Sequence, residues 1–242
     1  MKLLKILAVD SSAKSASVAV TENGRLISEC FVNNALTHSR TLMPMVDNAL
    51  SQADMSFGDI DALCVNVGPG SFTGIRIGVA AVKGLAAADK KPCAGVSTLE
   101  SIAYNFADEN CIVCAAMDAR CNQVYTAIFR CNGSEISRIC EDKAVSIDEL
   151  GEELSGYNEK IYLAGDGAEI CFKVFDGKVE NINLPAENRR YQRAYGVALA
   201  AEKNNNFTDS ALLAPVYLRL PQAERELRVK GTIRTMPESN SF

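Results

Sequence analysis

Two aspartates at the ends of apolar segments are the strongest candidates for polar groups in a functional cleft. Asp10 ends an apolar run that begins at Ile6, and Asp118 ends a second run that begins at Ile112. A short polar turn and a second alternating segment follow each of them, which is the pattern of a β-hairpin. A carboxylate at a hairpin turn is also an ordinary turn residue. The sequence leaves both interpretations open.

A glycine-rich segment, Gly68 to Gly78, joins an apolar strand to a helical pattern. Such a loop can direct several backbone N–H groups at an anion, aided by the helix dipole. Its glycine spacing is one residue too wide for G-x-G-x-x-G, and no Gly-Lys-Ser/Thr follows as in a P-loop. The alternative is a tight strand-to-helix turn in which Ser71 or Thr73 caps the helix. The sequence does not separate the two.

The histidine content limits the catalytic chemistry. His38 is the one histidine of the sequence, which excludes a metal site with two histidine ligands. A serine hydrolase would place Ser71 or Ser97 beside His38, but the segment around Ser97 lacks the second glycine of a nucleophile elbow. We therefore expect no catalytic residue and no metal site.

The cysteines favour a reducing compartment. There are nine, an odd number spread through apolar segments, which is not the framework of a small secreted domain. Cys111 and Cys114 have the spacing of a C-x-x-C pair, but they fall in a predicted strand, where residues three apart point to opposite faces. We expect both to be small buried apolar side chains without a metal or redox role.

The two aspartates belong to segments that recur along the chain. The first hairpin closes at Asn23-Gly24 and the second at Asn132-Gly133. The following strand enters Gly68-Pro69-Gly70 in the first copy and Gly165-Asp166-Gly167 in the second, and each is followed by a helical pattern. Strands that alternate with helices indicate α/β layers, and recurrence of the whole unit indicates two duplicated halves.

Apolar spacing places the other elements. It predicts a third strand over residues 26–32 and helices after Thr37 and over residues 74–88, 98–107, 147–154 and 193–203. The helix over 74–88 is apolar or small on nearly every face, with only Arg76 and Lys83 charged. Such a helix must be covered all round. The sheet covers one face, so the other packs on helices of the same chain or on another subunit.

Composition bounds the class of protein. A chain of 242 residues that is 48% apolar and 23% charged is expected to fold as one large domain or two small ones. Its formal net charge of -5 argues against unaided binding of nucleic-acid phosphates. The apolar run at the N-terminus is short, and no segment approaches the roughly 20 residues that span a bilayer. We expect a soluble cytoplasmic protein without membrane contact.

Several segments together resemble the bacterial TsaB family, a branch of the superfamily of actin, sugar kinases and heat-shock chaperone ATPases. They are LAVDSS at residues 7–12, GPGSFTGIRIG at 68–78, GVSTLES at 95–101, MDARCNQVY at 117–125 and APVYLR at 214–219. The resemblance implies a duplicated actin-like α/β fold, in which each half has a central mixed sheet with helices. It implies an N-terminal half for partner docking over 1–105, a C-terminal half over 106–220 and a polar tail over 221–242.

The resemblance also implies a function. Proteins of this family help to make threonylcarbamoyladenosine beside the anticodon of tRNAs that read codons beginning with A. The paralogue TsaD carries the transferase chemistry and a His-x-x-x-His metal motif, which this chain cannot supply, and TsaB is its non-catalytic partner. A small ATPase, TsaE, joins the assembly, and tRNA is expected to be reached only through the complex. Alone, the chain is expected to form a homodimer through the same face.

The resemblance carries over to particular residues. The family's nucleotide loop falls by position at Asp10, Ser11 and Ser12, although TsaB proteins are degenerate there. No cofactor is firmly expected, and an adenine nucleotide at the complex interface is the one that the resemblance allows. The partner interface is expected on the two N-terminal helices, at Leu42, Met45, Val46, Arg76, Val79, Ala80 and Lys83.

Two other functions compete with the scaffold. An independent ATP-dependent phosphotransferase of the same fold is the alternative, because two hairpins that carry Asp10 and Asp118 flank a predicted cleft. The serine hydrolase built on Ser71 or Ser97 with His38 is a third hypothesis from a different class.

Overall fold

Two β-sheets form the frame of the described residues, which are 3–34, 36–133 and 135–219 of a computed structural model. In the first sheet the strand order is β3-β2-β1-β4-β5. Strands β1, β2 and β3 pair antiparallel, whereas β1, β4 and β5 run parallel. The strands are β1 (Lys5–Asp10), β2 (Ser15–Glu22), β3 (Arg25–Asn33), β4 (Ala62–Gly68) and β5 (Cys93–Ser97).

The second sheet has the order β11-β10-β6-β7-β8, and β9 also pairs with β7. Its strands β6 and β7 form an antiparallel hairpin, and β10 and β11 continue from β6 in parallel. The strands are β6 (Asn110–Arg120), β7 (Gln123–Asn132), β8 (Ile136–Arg138), β9 (Lys143–Ser146), β10 (Ile161–Ala164) and β11 (Ile182–Asn183).

The two sheets share one plan, which confirms the predicted duplication and the α/β class. In each, a long hairpin is extended on one side by antiparallel strands and on the other by two parallel strands. The parallel strand next to the hairpin ends in a glycine loop in both copies, at Gly68 and at Gly165.

The helices lie in layers on these sheets. They are α1 (His38–Gln52), α2 (Phe72–Asp89), α3 (Thr98–Ala103), α4 (Ile147–Leu154), α5 (Ala168–Phe175), α6 (Glu187–Arg190) and α7 (Ala194–Asn204). Helices α1 and α2 share one apolar core with the first sheet, and α4 and α5 share another with the second sheet. Helix α3 packs between the two halves, because it contacts α7, β4 and β5 as well as β6 and β7.

The last helix crosses from the second half to the first. Ala194, Val197, Ala198 and Ala201 of α7 pack against Ile6 and other residues on the face of the first sheet opposite α1 and α2. Residues 207–216 continue this association, since the backbone of Thr208 bridges to Cys93 and Val216 N donates to Val67 O. Helix α7 lies in the range 106–220 expected for the C-terminal half and packs on the first sheet, so the two expected halves share this core.

No helix within the described part of the chain is long and apolar enough to cross a membrane. The polar tail predicted over 221–242 lies outside the described residues.

Candidate functional site

A cleft of about 670 Å³ opens between the two halves. The first hairpin contributes residues 13–15 and the glycine loop contributes 69–72. The second half contributes 117–120, 125, 165–166, 169–170 and 190–191, and residues 33 and 216–219 complete the lining. The cleft is thus built from the two copies of the same unit. The hairpin turn and glycine loop of the first half lie on one side, and those of the second half lie on the other.

Asp10, Ser11 and Ser12, the expected nucleotide loop, are buried below this cleft and do not line it. The Oδ1 atom of Asp10 accepts hydrogen bonds from Ser12 Oγ at 2.7 Å and from Asn66 Nδ2 at 2.7 Å. Ser11 Oγ donates to Gly74 O at 2.9 Å. These side chains are bonded inside the protein and are not presented to the cleft, and the assignment of the three residues to a nucleotide site stays a prediction.

Burial also changes the acidity of Asp10. Its desolvation raises the pKa of the carboxyl above the usual 3.8, although hydrogen bonds from Ser12 and Asn66 act in the opposite direction. Asp10 Oδ2 and Asn66 Oδ1 both lack a hydrogen-bond partner among the described residues. A fully buried carboxylate oxygen without a donor favours the neutral carboxylic acid, because burial penalises the charged form.

The glycine loop serves as a close-packed turn and a helix cap. Ser71 caps α2, because its Oγ accepts from Gly74 N at 3.2 Å, and Ser71 N donates to Ser12 O at 2.6 Å. A Cβ on Gly70 would lie 2.3 Å from Ser12 O. The loop is thus pressed onto the first hairpin turn, and the turn interpretation is favoured over the anion cradle.

The second copy places two carboxylates at the cleft. Asp118 N donates to Asp166 Oδ1 at 3.1 Å, and Asp118 Oδ2 pairs with Arg120 Nη1 at 3.2 Å. Burial raises the pKa of Asp166 to about 6, and the nearby charge of Asp118 adds to the rise. Of the two aspartates predicted to face a cleft, the structure places Asp118 there and buries Asp10.

Asp166 is the functional candidate that the sequence analysis missed. The signal was present, because Gly165-Asp166-Gly167 occupies the position of Gly68-Pro69-Gly70 in the duplicated unit. A Cβ on Gly165 would lie 2.1 Å from Ala116 O, just as Gly70 presses on Ser12. The second loop therefore needs its glycines for the same close approach to the hairpin backbone. Asp166, which lies between these glycines, lines the cleft.

Several expected interface residues lie in the core and not on the surface. Leu42, Met45 and Val46 of α1 and Val79 of α2 are buried against the first sheet. This corrects the expectation that their side chains are free for a partner, because the amphipathic face of each helix covers its own sheet. The exposed face of α2 carries instead a line of mostly small residues: Thr73, Arg76, Ala80, Gly84 and Ala87.

The two basic residues of α2 hold the end of the described chain in place. Lys83 Nζ donates to Ala211 O and to Leu213 O, both at 3.0 Å. Arg76 Nε donates to Tyr217 Oη at 2.8 Å, and its guanidinium lies 3.8 Å from the centroid of the Phe72 ring. We call residues 209–217 the strap. The strap covers one flank of α2 and leaves Ala80 and Gly84 exposed.

The residues proposed for a hydrolase are used elsewhere. His38 Nε2 bonds Ala13 O at 2.6 Å, Ser71 caps α2, and Ser97 Oγ donates to Asp142 Oδ2 at 2.5 Å. Since neither serine hydroxyl is bonded to His38, the hydrolase hypothesis is wrong for this structure. No group of three His, Cys, Asp or Glu side chains in the described residues is arranged to hold a metal ion.

Two duplicated mixed sheets with a cleft between them define the class of proteins with a duplicated actin-like α/β fold. Within that class, the family model described as TsaD, tRNA N6-adenosine threonylcarbamoyltransferase, matches residues 33–226. The chain belongs to this family, on its TsaB branch.

Individual relatives agree with this placement. A Bacillus subtilis protein named tRNA threonylcarbamoyladenosine biosynthesis protein TsaB is 27% identical over 91% of this chain and 96% of its own length. The Escherichia coli protein of the same name is 36% identical over 62% of this chain and 65% of its own. A Pseudomonas aeruginosa structure, described as an uncharacterized protein with similarity to peptidase YeaZ, superposes with a TM-score of 0.77 at 25% identity, covering 89% of this chain and 100% of that one. This membership supports a role in biosynthesis of threonylcarbamoyladenosine in tRNA.

Proposed function

We propose that this protein is a non-catalytic scaffold subunit for transfer of the threonylcarbamoyl group from threonylcarbamoyl-AMP to the adenosine beside the anticodon of tRNAs that read A-starting codons. Its partners are a TsaD-like catalytic subunit and a TsaE-like ATPase, and the complex works in the cytoplasm. The observation that carries the proposal is the burial of Asp10, Ser11 and Ser12 under the glycine loop, in a chain whose family is that of the transferase.

Burial of this turn argues for a supporting role. Asp10 Oδ1 accepts hydrogen bonds from the backbone N and the Oγ of Ser12 and from Asn66 Nδ2. Opening the turn would break the contacts of Ser11 and Ser12 with the start of α2. A site that needed these side chains for chemistry would therefore cost several internal hydrogen bonds, each about 1 kcal/mol.

The exposed line of α2 is the proposed docking face. Ala80, Gly84 and Ala87 have small side chains, which would let a helix of another subunit approach closely. Arg76 and Lys83 lie on the flank where the strap is attached. We propose that this face meets the TsaD-like subunit in the complex and a second copy of the chain in its absence, and that tRNA is bound by the complex as a whole.

We also propose that any adenine nucleotide of the assembly lies at the interface between subunits and not on Asp10, Ser11 and Ser12. The burial of those three residues supports this, because they have almost no accessible surface.

Reconstitution tests the scaffold role. Purified TsaD-like and TsaE-like subunits, tRNA and threonylcarbamoyl-AMP are combined with and without this chain, and modified adenosine is measured by mass spectrometry of tRNA digests. We expect modification to fall to background without the chain and to return on its addition. An unchanged rate without it would overturn the proposal.

The Asp118 and Asp166 carboxylates keep the phosphotransferase alternative testable, since both face the cleft. Calorimetry of the lone chain with Mg-ATP separates the two functions. The scaffold predicts no tight binding. Micromolar binding that Asp166→Asn abolishes would favour the phosphotransferase.

A further inference from the structure

Cys111 and Cys131 face each other across the hairpin of β6 and β7. The register of the two strands pairs them directly, and both side chains lie in the apolar core on the side of α3. Cys114, the C-x-x-C neighbour of Cys111, points into the core on the other side of the sheet. The thiol next to Cys111 is therefore that of Cys131 on the opposite strand, and the spacing of cysteines in the sequence does not indicate this pairing.

The backbone spacing suits a covalent link. Directly opposed residues of an antiparallel pair have Cα atoms about 4.5–5.5 Å apart, and disulfides span Cα separations of about 4.4–6.8 Å. The two side chains also point to the same face of the sheet. A bond between the two sulfur atoms therefore needs only a small adjustment of the side chains.

The surroundings activate one of the two thiols. A hydrogen bond that the Cys131 thiol donates to the Cys111 thiolate lowers the pKa of Cys111. The charges of Lys160 and Arg189 act in the same direction, whereas burial and the charge of Glu109 act against it. Both cations are held close by ion pairs to Glu109. The thiolate is the attacking species in thiol–disulfide exchange, so two cations beside Cys111 suit it to attack first.

Access comes from the position of the pair in the hairpin. Both thiols are buried, but each lies one residue from the end of its strand, at Asn110 and Asn132. Strand ends open locally far more readily than the whole fold. An oxidant therefore reaches the pair through fraying of this end of the hairpin.

We propose that Cys111 and Cys131 are a reversible redox site that a low-molecular-weight disulfide oxidises to a cross-strand disulfide. The Cys111 thiolate attacks one sulfur of the oxidant, which forms a mixed disulfide and releases one thiolate. Cys131, after losing its proton to solvent, attacks the Cys111 sulfur and releases the second thiolate. Two protein thiols are oxidised and one small disulfide is reduced to two thiols.

Oxidation has a local consequence. While Cys111 is protonated, the Cys131 thiol is free to donate to Ala103 O, which lies 3.9 Å away at the end of α3. A disulfide has no thiol hydrogen, so this contact between the hairpin and α3 is lost. Because α3 packs between the two halves, the redox state of the pair acts on the contact between them. This inference is independent of the scaffold role.

The experiment uses the full-length chain and oxidised glutathione. The folded protein is incubated with the oxidant. It is then unfolded in denaturant that contains N-ethylmaleimide, so that every remaining thiol is alkylated. Trypsin cleaves after Arg120 and Arg130, which separates Cys111, Cys121 and Cys131 into different peptides. We expect a peptide pair joined through Cys111 and Cys131, absent after treatment with dithiothreitol. Exposed Cys121 reports that the oxidant was active, because it should take up glutathione.

Variants complete the test. Cys131→Ala should remove the linked pair and leave a glutathione adduct on Cys111, whereas Cys114→Ala, the matched buried cysteine on the other face, should leave the link intact. Circular dichroism before and after oxidation verifies that the protein stays folded. The proposal is overturned if Cys121 is modified while Cys111 and Cys131 are both recovered alkylated, or if the link forms only in denaturant.

Discussion

Gly74 lies directly against the carbonyl oxygen of Ser11, and a Cβ at this glycine would stand 2.1 Å from that oxygen. The first turn of α2 is thereby joined to the turn between β1 and β2, and Ser11 Oγ donates back to Gly74 O. This contact explains the third glycine of the GPGSFTG segment as a packing requirement. It also gives a sharp test, because the same helix carries a glycine with no such neighbour.

Gly74→Ala should lower the free energy of unfolding by about 1–3 kcal/mol, because the backbone of one turn must move away from the other. Gly84→Ala is the matched control, since a Cβ at that glycine would have nothing within 4 Å of it. Replacing an exposed helical glycine should stabilise the protein by up to about 1 kcal/mol. Urea denaturation of both variants measures the difference, and equal effects would refute this account of the loop.

Ala80→Arg should leave the fold intact and weaken pairing with the TsaD-like subunit at least about tenfold, a change of about 1.4 kcal/mol. Ala80 is exposed on α2, so an arginine there costs the monomer little. Binding is measured by calorimetry and homodimerisation by light scattering. Ala186→Arg, an exposed alanine of the second half, is the control. Normal pairing by the Ala80 variant would exclude this face.

Val79→Asp should unfold the protein and not merely block docking. Val79 is 4% exposed and packs in the core of the first sheet, so the variant buries a carboxylate without a partner. The loss of the cooperative transition in thermal denaturation is the expected result. A folded monomer that has lost only its partner would show that this side chain belongs to the interface after all.

Asp10→Asn should make the protein more stable at pH 7 and less dependent on pH. Burial raises the pKa of Asp10 in the folded state, so the folded protein prefers the neutral form. Wild-type stability from this group is therefore fully present below the unfolded pKa of 3.8 and is lost as pH rises through the folded pKa, by about 1.4 kcal/mol for each unit of difference. An asparagine does not titrate, so this pH dependence disappears in the variant.

Thermal denaturation between pH 4 and 8 measures this effect as the difference between wild type and variant. Asp47→Asn, which removes an exposed carboxylate from α1, is the control. A difference that stays constant over the pH range, or a variant that is less stable at pH 7, would show that Asp10 is ionised in the folded protein.

Lys83→Ala should release the strap. The variant loses hydrogen bonds to Ala211 O and Leu213 O, which together contribute about 1–3 kcal/mol to local stability. Hydrogen exchange should become faster in residues 209–217 while the strands of the first sheet keep their protection. Lys173→Ala, an exposed lysine of α5, should have no such effect. Unchanged exchange in the strap would mean that the core contact of Leu213 suffices to hold it.

The elements of this fold were largely predictable, because they depend on local pattern. The predicted helix over 147–154 coincides with α4, and the helix after Thr37 begins at His38. Both start at a polar cap and continue with apolar residues at helical spacing. The hairpins were also predictable, since alternation and the closing Asn-Gly pairs mark them.

The site was less predictable, because it depends on contacts between distant segments. Asp10 is buried by Asn66 and by the start of α2, and no pattern around residue 10 reports them. The face of α2 was also ambiguous, since a helix that is small or apolar on every side has no polar stripe to mark the exterior. The strap covers one flank of α2 and so determines which face stays exposed. It comes from residues more than a hundred positions further along the chain.

The crossing of α7 onto the first sheet has a consequence for synthesis on the ribosome. When residue 105 has been made, the face of β1, β4 and β5 that holds Ile6, Cys64 and Val96 is covered only in part, by α3, since α7 has not yet been synthesised. The nascent first half must wait for nearly the whole chain before its second core closes. The two halves therefore mature together, and a cut at residue 105 would yield a fragment that exposes an apolar sheet and aggregates.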